Sequence, residues 1–304
     1  MDTLSEIGSA VRFGLIGTIT FLCIAIMIEM AIPRERYSLQ ARLNGIRFWL
    51  LRAVLAGVII IPLNRMWDIY GLSPFLIIRF DTLFSWAGPF AFLIGALSAM
   101  LLVDFFGYWF HRVQHGPLWR FHVVHHSATE LHAANGFGHI ADEVFQFVMM
   151  GIPLSLLPVR RLEDPAILAL LFAVLPFYIH SPVKLHFGPL RRIFTDNRFH
   201  RIHHSLDPEH FDKNFGTFST LWDQLFRTAY FPRANEWPDT GVAGVSHPRT
   251  VWEWLCLPWR YKPTRSEPLS VASTSPFDHR EPQKATPQVL TQWQEDVQER
   301  SAAL

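Results

Sequence analysis

The sequence has little cysteine and little charge for its length. Two cysteines occur in 304 residues, which provides no framework for disulfides and no ligand set for an iron–sulfur cluster. Charged residues make up 17% of the chain, below the roughly 25% that is usual in soluble domains. The 27 basic and 26 acidic residues nearly cancel, so the composition indicates no nucleic-acid partner. Low charge and a hydrophobic content of 50% indicate a membrane protein.

Three apolar stretches are long enough to cross a bilayer: about Val11–Ile32, Phe48–Trp67 and Leu83–Phe106. Acidic Asp2 and Glu6 precede the first stretch, which lacks a basic flank and a small-residue cleavage site. We therefore expect a retained anchor rather than a signal peptide. The connection between the first two stretches is basic, and the positive-inside rule predicts that it is cytoplasmic. Its arginines are Arg34, Arg36, Arg42 and Arg47.

The predicted fold is all-α, an integral membrane helical bundle with a cytoplasm-facing, histidine-rich helical cap. Two shorter apolar runs, Val144–Leu157 and Pro165–Ile179, form either two crossings or a re-entrant hairpin. We predict N-terminal transmembrane helices in residues 1–82 and a histidine-box catalytic domain in 83–235, with the membrane hairpin at 144–180. Residues 236–304 are polar, and we predict that they are largely a flexible tail.

The most informative feature of the sequence is three histidine clusters, of the forms H-x-x-x-H, H-x-x-H-H and H-x-x-H-H, with one more histidine nearby. Separations of three and four residues place imidazoles on one face of a helix, and neutral imidazole is the commonest metal ligand in proteins. Nine imidazoles are too many for one ion and suit two, each with an open position. The nine are His111, His115, His122, His125, His126, His180, His200, His203 and His204.

Spacing alone leaves iron, zinc, copper and nickel open, since all of them bind imidazole. The sequence has no E-x-x-H carboxylate pair beside the clusters, which argues against a ferritin-like di-iron site. The remaining histidines lack the cluster spacing. We expect His132 and His186 to lie near the ligands or at the surface, and His210, His247 and His279 to be ordinary surface residues.

The clusters and their flanks resemble the fatty acid hydroxylase/sterol desaturase superfamily of membrane enzymes. Three motifs carry the resemblance: D-x-x-x-Y-W-x-H-R-x-x-H (Asp104–His115), F-H-x-x-H-H-S (Phe121–Ser127) and R-F-H-R-x-H-H-S (Arg198–Ser205). D-K-N-F-G (Asp212–Gly216) and L-W-D-Q-L-F (Leu221–Phe226) extend it. It covers roughly residues 83–232, and the order and spacing of the motifs make it specific.

The resemblance implies a di-iron centre held by the nine clustered histidines, although purified material can carry zinc instead. It implies hydroxylation or desaturation of a lipid C–H bond, in a sterol, fatty acyl chain or ether lipid, with O2 and two external electrons. No G-x-G-x-x-G fingerprint is visible, so we expect the electrons to come from a separate protein. The expected location is a bacterial inner membrane or the endoplasmic reticulum, with the histidines on the cytoplasmic side.

Five other residues are candidates for hydrogen-bonding and orienting the ligand rings. Asp104 lies near the end of an apolar stretch, where an acid needs a partner, which is either a ligand histidine or an arginine. The alternative for Asp212, Asn214 and Asp223 is a position in a surface turn or at a helix cap. Relatives have R-x-H-P-x-E where this chain has Gly138–Glu143, so His139 is also a candidate for a shifted ligand. Relatives have Asn where this chain has Pro182. The five candidates are Asp104, Asp212, Asn214, Asp223 and His139.

Two proteins of other classes also explain parts of the pattern. A histidine-rich metal transporter is expected to carry ionisable residues at the middle of several spans, whereas these histidines lie at span ends. A bis-histidine haem protein needs two axial ligands and leaves the adjacent histidine pairs unexplained. The leading hypothesis is therefore a membrane-bound di-iron lipid oxygenase.

Overall fold

The structure, a computed structural model, describes residues 3–71, 80–157 and 165–261. These residues form α-helices joined by short 3-10 and π turns, with isolated β-bridges and no sheet among them. The helices are α1 (Thr3–Ala31), α2 (Leu39–Tyr70), α3 (Phe80–Leu83), α4 (Ala91–Gln114), α5 (Trp119–His126), α6 (Ala141–Gln146), α7 (Ile152–Leu156), α8 (Pro165–His180), α9 (Asn197–His203), α10 (Leu221–Leu225) and α11 (Val251–Arg260). The all-α prediction is confirmed.

Three helical segments are long and apolar enough to cross a membrane: Thr3–Ala31, Leu39–Leu63 and Leu93–Gln114. The first two belong to α1 and α2, which pack against each other along their length. Glu6 pairs with Arg65 at one end of this helix pair (2.7 Å), and Glu29 pairs with Arg42 at the other. The two ion pairs fix the antiparallel register of the helices.

The third membrane segment begins later than the sequence predicts. Gly88 takes a positive φ of 54° and, with Pro89 after it, makes a kink inside a 3-10 turn at Ser85–Phe90, so that α4 starts at Ala91. The predicted start near Leu83 is therefore wrong by about two helical turns. At its other end α4 continues past Phe106 to Gln114, as expected, and carries the first histidine pair beyond the apolar stretch.

The predicted membrane hairpin is irregular on its first side. α6 passes through a π turn at Phe147–Gly151 into the short α7, and α8 returns the chain to His180. Residues 158–164, the predicted turn of the hairpin, lie outside the described residues. None of the three membrane-length segments falls in this region, so whether it crosses a membrane stays a prediction.

The connection between α1 and α2 lies beside the end of α8. Pro33 forms a β-bridge with Val183, and the backbone N–H of Arg34 donates to the carbonyl of Pro182 at 2.7 Å. The basic connection and His180 are therefore on the same side of the molecule.

α11 was not predicted from the sequence, because residues 236–304 were treated as one polar region although Val251–Arg260 is rich in tryptophan and leucine. A capping box begins it: Thr250 Oγ1 accepts from the N–H of Glu253, and the Glu253 carboxylate accepts from the N–H of Thr250. Trp254 is fully buried against Phe48 of α2, at 5.8 Å between ring centroids, and donates from Nε1 to the carbonyl of Gly138. The predicted tail starts at residue 236, before α11, and residues 262–304 of it lie outside the described residues.

Candidate metal centre

The nine clustered histidines come together from four places in the fold. The last turn of α4 carries His111, and His115 caps that helix. Gly116 and Pro117 then interrupt the chain, and α5 carries the second cluster. α8 ends at His180, and α9 supplies the third cluster, with its first turn capped by Asp196, whose carboxylate accepts from the N–H of Phe199. The convergence of all three clusters is thus a property of the fold.

The histidines divide into two groups, within each of which the candidate ligand atoms all lie within 4.8 Å of one another. Group one is His111, His115, His122, His126 and His203; group two is His125, His180, His200 and His204. Histidines four residues apart share a group, because they lie one above the other on a helix. Adjacent histidines, such as His125 and His126, point about 100° apart on a helix and so fall in different groups.

Distances between the Nε2 atoms match the edges of a coordination shell. In group one, His111 lies 3.1 Å from His122, and His115 lies 3.1 Å from His126. In group two, His200 lies 3.0 Å from His180 and 3.2 Å from His204, while His125 and His180 are 3.3 Å apart. With metal–nitrogen bonds of about 2.1 Å, ligands at 90° to 109° stand roughly 3.0 to 3.4 Å apart.

In His111 and His203 the outer ring nitrogen, Nδ1, faces the surrounding protein, and the inner nitrogen, Nε2, faces the other ligands. The hydrogen bonds of Nδ1 show that Nε2 carries a lone pair. Nδ1 of His111 faces the carbonyl of Phe215 at 2.8 Å, and Nδ1 of His203 faces the carbonyl of Lys213 at 2.7 Å. A nitrogen facing a carbonyl must carry the proton and donate it, so Nε2 of each neutral ring is unprotonated. Nε2 of His203 is buried and has no hydrogen-bond partner. Lone pairs that converge in a buried space repel one another unless a cation lies between them.

Burial keeps these imidazoles neutral. It lowers the pKa of His122, His126 and His203 well below the ordinary 6.5, and the charge that neighbouring histidines would carry lowers it further. The same causes act on the pKa of His200 and His204. Neutral imidazole is the form that binds metal.

The donor set therefore fits two metal ions, one held by each group. The groups are adjacent: the rings of His126 and His204, one from each, stack with centroids 4.4 Å apart. Apolar rings shield group one. Phe215 is buried, and its ring centroid lies 5.0 Å from that of His115, while the ring centroid of Trp119 lies 5.1 Å from that of His115. A buried, water-poor site with open metal positions suits chemistry on an apolar substrate.

Asp104 does not contact a ligand histidine or an arginine in the described structure; both predicted partners were wrong. Its carboxylate accepts from the backbone N–H groups of Phe218 and Ser219, at 2.9 and 3.0 Å. It thereby joins α4 to the segment that follows D-K-N-F-G. The acid is satisfied by backbone donors rather than by a charge.

Asp212 does contact a ligand, with Oδ1 3.3 Å from Nδ1 of His115. Asn214 holds backbone instead: its amide donates to the carbonyls of Phe199 and Tyr230 and accepts from the N–H of Tyr230. The Asp223 carboxylate accepts from the N–H groups of Phe215 and Gly216, and burial raises its pKa to about 6. Asn214 and Asp223 thus shape the segment that touches the ligands.

His139 belongs to neither group. Its Nδ1 accepts from the N–H of Ala141 at 3.1 Å, and its Nε2 faces the carbonyl of Leu255 at 3.3 Å. These bonds start α6 and tie it to α11. The structure therefore gives His139 a local structural contact, and the shifted-ligand role has no geometric support.

The histidines outside the clusters are less exposed than the sequence predicts. His210 is buried and lies 2.8 Å from Ser205 Oγ, so the surface prediction was wrong for it. His247 is partly buried and bonds Ser127 Oγ at 3.0 Å. His132 is fully buried with no hydrogen-bond partner at either ring nitrogen, whereas His186 is exposed. His279 lies outside the described residues.

Two further residues near the centre were missed. A Cβ at Gly136 would lie 2.8 Å from two atoms of the His180 ring, so only glycine leaves that ring room. Asp142 is buried and accepts from the amide of Gln114 at 3.2 Å; burial raises its pKa to about 7. A sequence shows neither, because each depends on a segment distant in the chain.

The fold and the site define a helical protein with three candidate membrane spans and a buried nine-histidine centre suited to two metal ions. Residues 96–228 match the family model of fatty acid hydroxylases, and this part of the chain is a fatty acid hydroxylase domain of the fatty acid hydroxylase/sterol desaturase superfamily. The match contains all nine histidines. The resemblance inferred from the motifs is thereby confirmed.

Curated relatives are lipid-modifying oxygenases by name. An ornithine lipid hydroxylase of Rhizobium tropici is 33% identical over 159 residues, which is 51% of this chain and 47% of that protein. Alkylglycerol monooxygenases of Danio rerio and Homo sapiens are 31% and 32% identical over 170 and 161 residues, or 54% and 51% of this chain and 36% and 34% of those proteins. The chain thus spans about half or less of the length of these relatives. No solved structure matches the chain significantly.

Proposed function

We propose that this protein is a membrane-bound di-iron oxygenase that hydroxylates an unactivated C–H bond in the alkyl or acyl chain of a membrane lipid. The observation that carries the proposal is the convergence of nine histidines into two groups beside the ends of the apolar helices. The family match and the names of the relatives, all lipid hydroxylases or monooxygenases, support it and favour hydroxylation over desaturation.

The overall reaction places one oxygen atom of O2 in the lipid as a hydroxyl and releases the other as water. It consumes two electrons and two protons from outside. An unactivated C–H bond is beyond acid–base chemistry by side chains; O2 is the oxidant, and bound iron would supply the chemistry that activates it. The nine imidazoles hold the ions, and Phe215 and Trp119 exclude water from group one. No residue of the described structure needs to be oxidised in this scheme.

The electron donor is proposed to be a separate protein, and the centre is proposed to face the cytoplasm. The basic connection between α1 and α2 lies on the same side as the histidines, because Pro33 pairs with Val183 near His180. The positive-inside rule then favours a cytoplasmic centre, where soluble or anchored reductases have access. Lipid substrate reaches the same level by lateral diffusion in the membrane.

The two rival functions fit the geometry less well. A transport pathway requires polar groups at mid-span, but the nine histidines gather at one end of the helices, around two convergent points. A bis-histidine haem site uses two axial rings on opposite faces of a flat cofactor. Each group instead brings four or five rings to one place, so a haem with two axial ligands would leave at least two rings of each group unexplained.

Lipid mass spectrometry of cells with and without the full chain tests the proposal. The expected result is a lipid heavier by about 16 mass units, by about 18 under 18O2, which appears only with the protein. A loss of about 2 mass units would instead indicate desaturation. Neither change, with iron, O2 and reductant supplied, would contradict the proposal, as would a haem Soret band in the purified protein.

A matched pair of variants makes this test specific. His203→Gln removes a group-one ligand and is expected to abolish product. His186→Gln changes an exposed histidine outside both groups and is expected to leave product unchanged. Equal product from both variants would show that the oxidation does not depend on the histidine centre.

A further inference from the structure

The segment Asp212–Gly216, D-K-N-F-G, contacts histidines of group one only. The carbonyl of Phe215 accepts from His111, the carbonyl of Lys213 accepts from His203, and Asp212 Oδ1 lies 3.3 Å from Nδ1 of His115. Three of the five group-one rings thus direct their outer nitrogen at five consecutive residues. Their inner nitrogens then point toward a single position.

Group two has no single segment that supports its rings, and its hydrogen bonds go to separate places: His125 bonds the backbone of Phe137. His180 hydrogen-bonds a carbonyl of its own helix, that of Pro176. The outer nitrogens of His200 and His204 are buried and have no hydrogen-bond partner in the described structure. Two of the four group-two rings, like His122 of group one, therefore have no hydrogen bond at the outer nitrogen, and no segment serves group two as D-K-N-F-G serves group one.

The D-K-N-F-G segment is held rigidly in the conformation that makes these contacts. Asp212 and Asn214 take left-handed φ angles of 56° and 62°, which aspartate and asparagine tolerate better than most residues. Asp223 binds the N–H groups of Phe215 and Gly216, at 2.9 and 2.7 Å. A Cβ at Gly216 would lie 2.1 Å from the carbonyl oxygen of Ser219, so glycine is required there.

We propose that the D-K-N-F-G segment positions the ligands of one metal ion only, and that Asp212 makes the group-one ion the more tightly held of the two. The inference rests on the metal centre of the proposed function. Groups that hydrogen-bond a ligating histidine fix its tautomer and raise its basicity, and their loss typically lowers metal affinity 10- to 100-fold. The Asp212 side chain is 36% exposed, so we expect an effect near the lower limit, about tenfold.

Asp212→Asn in the full chain, purified and loaded with ferrous iron, tests the proposal. Asparagine keeps an oxygen acceptor and tolerates the left-handed φ, but removes the charge. Under a graded chelator challenge we expect one of the two ions of Asp212→Asn to leave at about one tenth of the chelator concentration that the parent needs. The second ion should leave at the parent's concentration.

Mössbauer spectroscopy on 57Fe identifies which ion changes. The parent is expected to show two ferrous components of equal area with different quadrupole splittings. Asp212→Asn should shift one component, and His200→Gln, a group-two change, should reduce the other. A merely structural role for Asp212 would broaden both components together and would overturn the proposal.

Asp207→Asn is the matched control, because this substitution removes the same charge five residues away. Asp207 caps a 3-10 turn at Pro208–His210. The proposal fails if Asp207→Asn and Asp212→Asn retain metal equally, or if the parent holds fewer than two ions. Failure of the proposed function looks different: the parent would hold two unequal ions and yet hydroxylate no lipid.

Discussion

Glu29 of α1 and Arg42 of α2 form an ion pair whose side chains are 0% and 8% exposed. The second carboxylate oxygen of Glu29 accepts from the backbone N–H of Ala133 at 2.8 Å. This one acid therefore joins the first two membrane helices to the segment that leads from the second histidine cluster toward Gly136. The sequence predicts Arg42 as one of four loop arginines, but the structure places it in a buried contact.

Arg42→Gln is expected to destabilise the protein strongly, because it leaves the Glu29 charge buried without its partner. Removal of one member of a buried pair costs about 3–5 kcal/mol. Arg36→Gln is the matched control, since Arg36 is exposed and the change also replaces one arginine by glutamine. Unfolding of the purified proteins in detergent measures the difference. The double change Glu29→Gln with Arg42→Gln should recover part of the loss; no recovery would contradict this account.

Gly45→Ala is expected to prevent normal packing of α2. A Cβ there would lie 2.1 Å from the carbonyl oxygen of Ala134, and the crowding involves backbone that cannot rotate away. Gly8→Ala, in α1, meets nothing within 4 Å and should be neutral or slightly stabilising, by up to about 1 kcal/mol. The yield of monodisperse protein after extraction distinguishes them. Equal yields would show that the close approach of Gly45 to Ala134 is not needed.

Much of the centre was predictable because helical spacing is a local property. Separations of four residues determine which rings share a helix face, so the nine histidines were identified from the sequence. Their division into groups of five and four was not. It depends on how α4, α5, α8 and α9 are oriented, and membership of His180 in group two and His203 in group one follows from tertiary packing.

The errors concern residues whose partners lie far along the chain. Asp104 bonds the backbone of Phe218 and Ser219, more than 110 residues away, and no pattern around Asp104 shows this. The start of the third membrane helix was misplaced for a different reason. Gly88 and Pro89 interrupt an apolar run without changing its hydropathy, so hydropathy alone does not show where the helix starts. The Gly-Pro pair itself is a local turn signal that predicts the interruption.

Gly136→Ala is expected to weaken metal binding in group two. The new methyl would lie 2.8 Å from Cγ and Nδ1 of His180, so the ring must move away from His125 and His200. Metal analysis after dialysis should find close to one ion per chain rather than two. Gly107→Ala, whose methyl would lie 3.6 Å from Met150, should keep both ions. Two tightly held ions in Gly136→Ala would show that the His180 position tolerates displacement.

His132 is expected to make the protein acid-sensitive. Burial, together with the charge of Arg42, lowers its pKa to about 3 from the ordinary 6.5. Between these values the unfolded chain binds a proton that the folded protein does not, so stability falls as pH falls from about 6.5 toward 3. At about 1.4 kcal/mol per pH unit, this residue contributes a loss of about 2 kcal/mol between pH 7 and 5.

His132→Phe should remove that contribution, because phenylalanine keeps an aromatic ring beside Tyr37 and cannot bind a proton. The free energy of unfolding, measured at pH 7 and pH 5, should fall by about 2 kcal/mol less in His132→Phe than in the parent. The nine clustered histidines titrate in both proteins, so the difference isolates His132. His186→Phe should match the parent, since His186 is exposed in the fold. A pH dependence shared by all three proteins would contradict the prediction and would mean that His132 is protonated in the folded state.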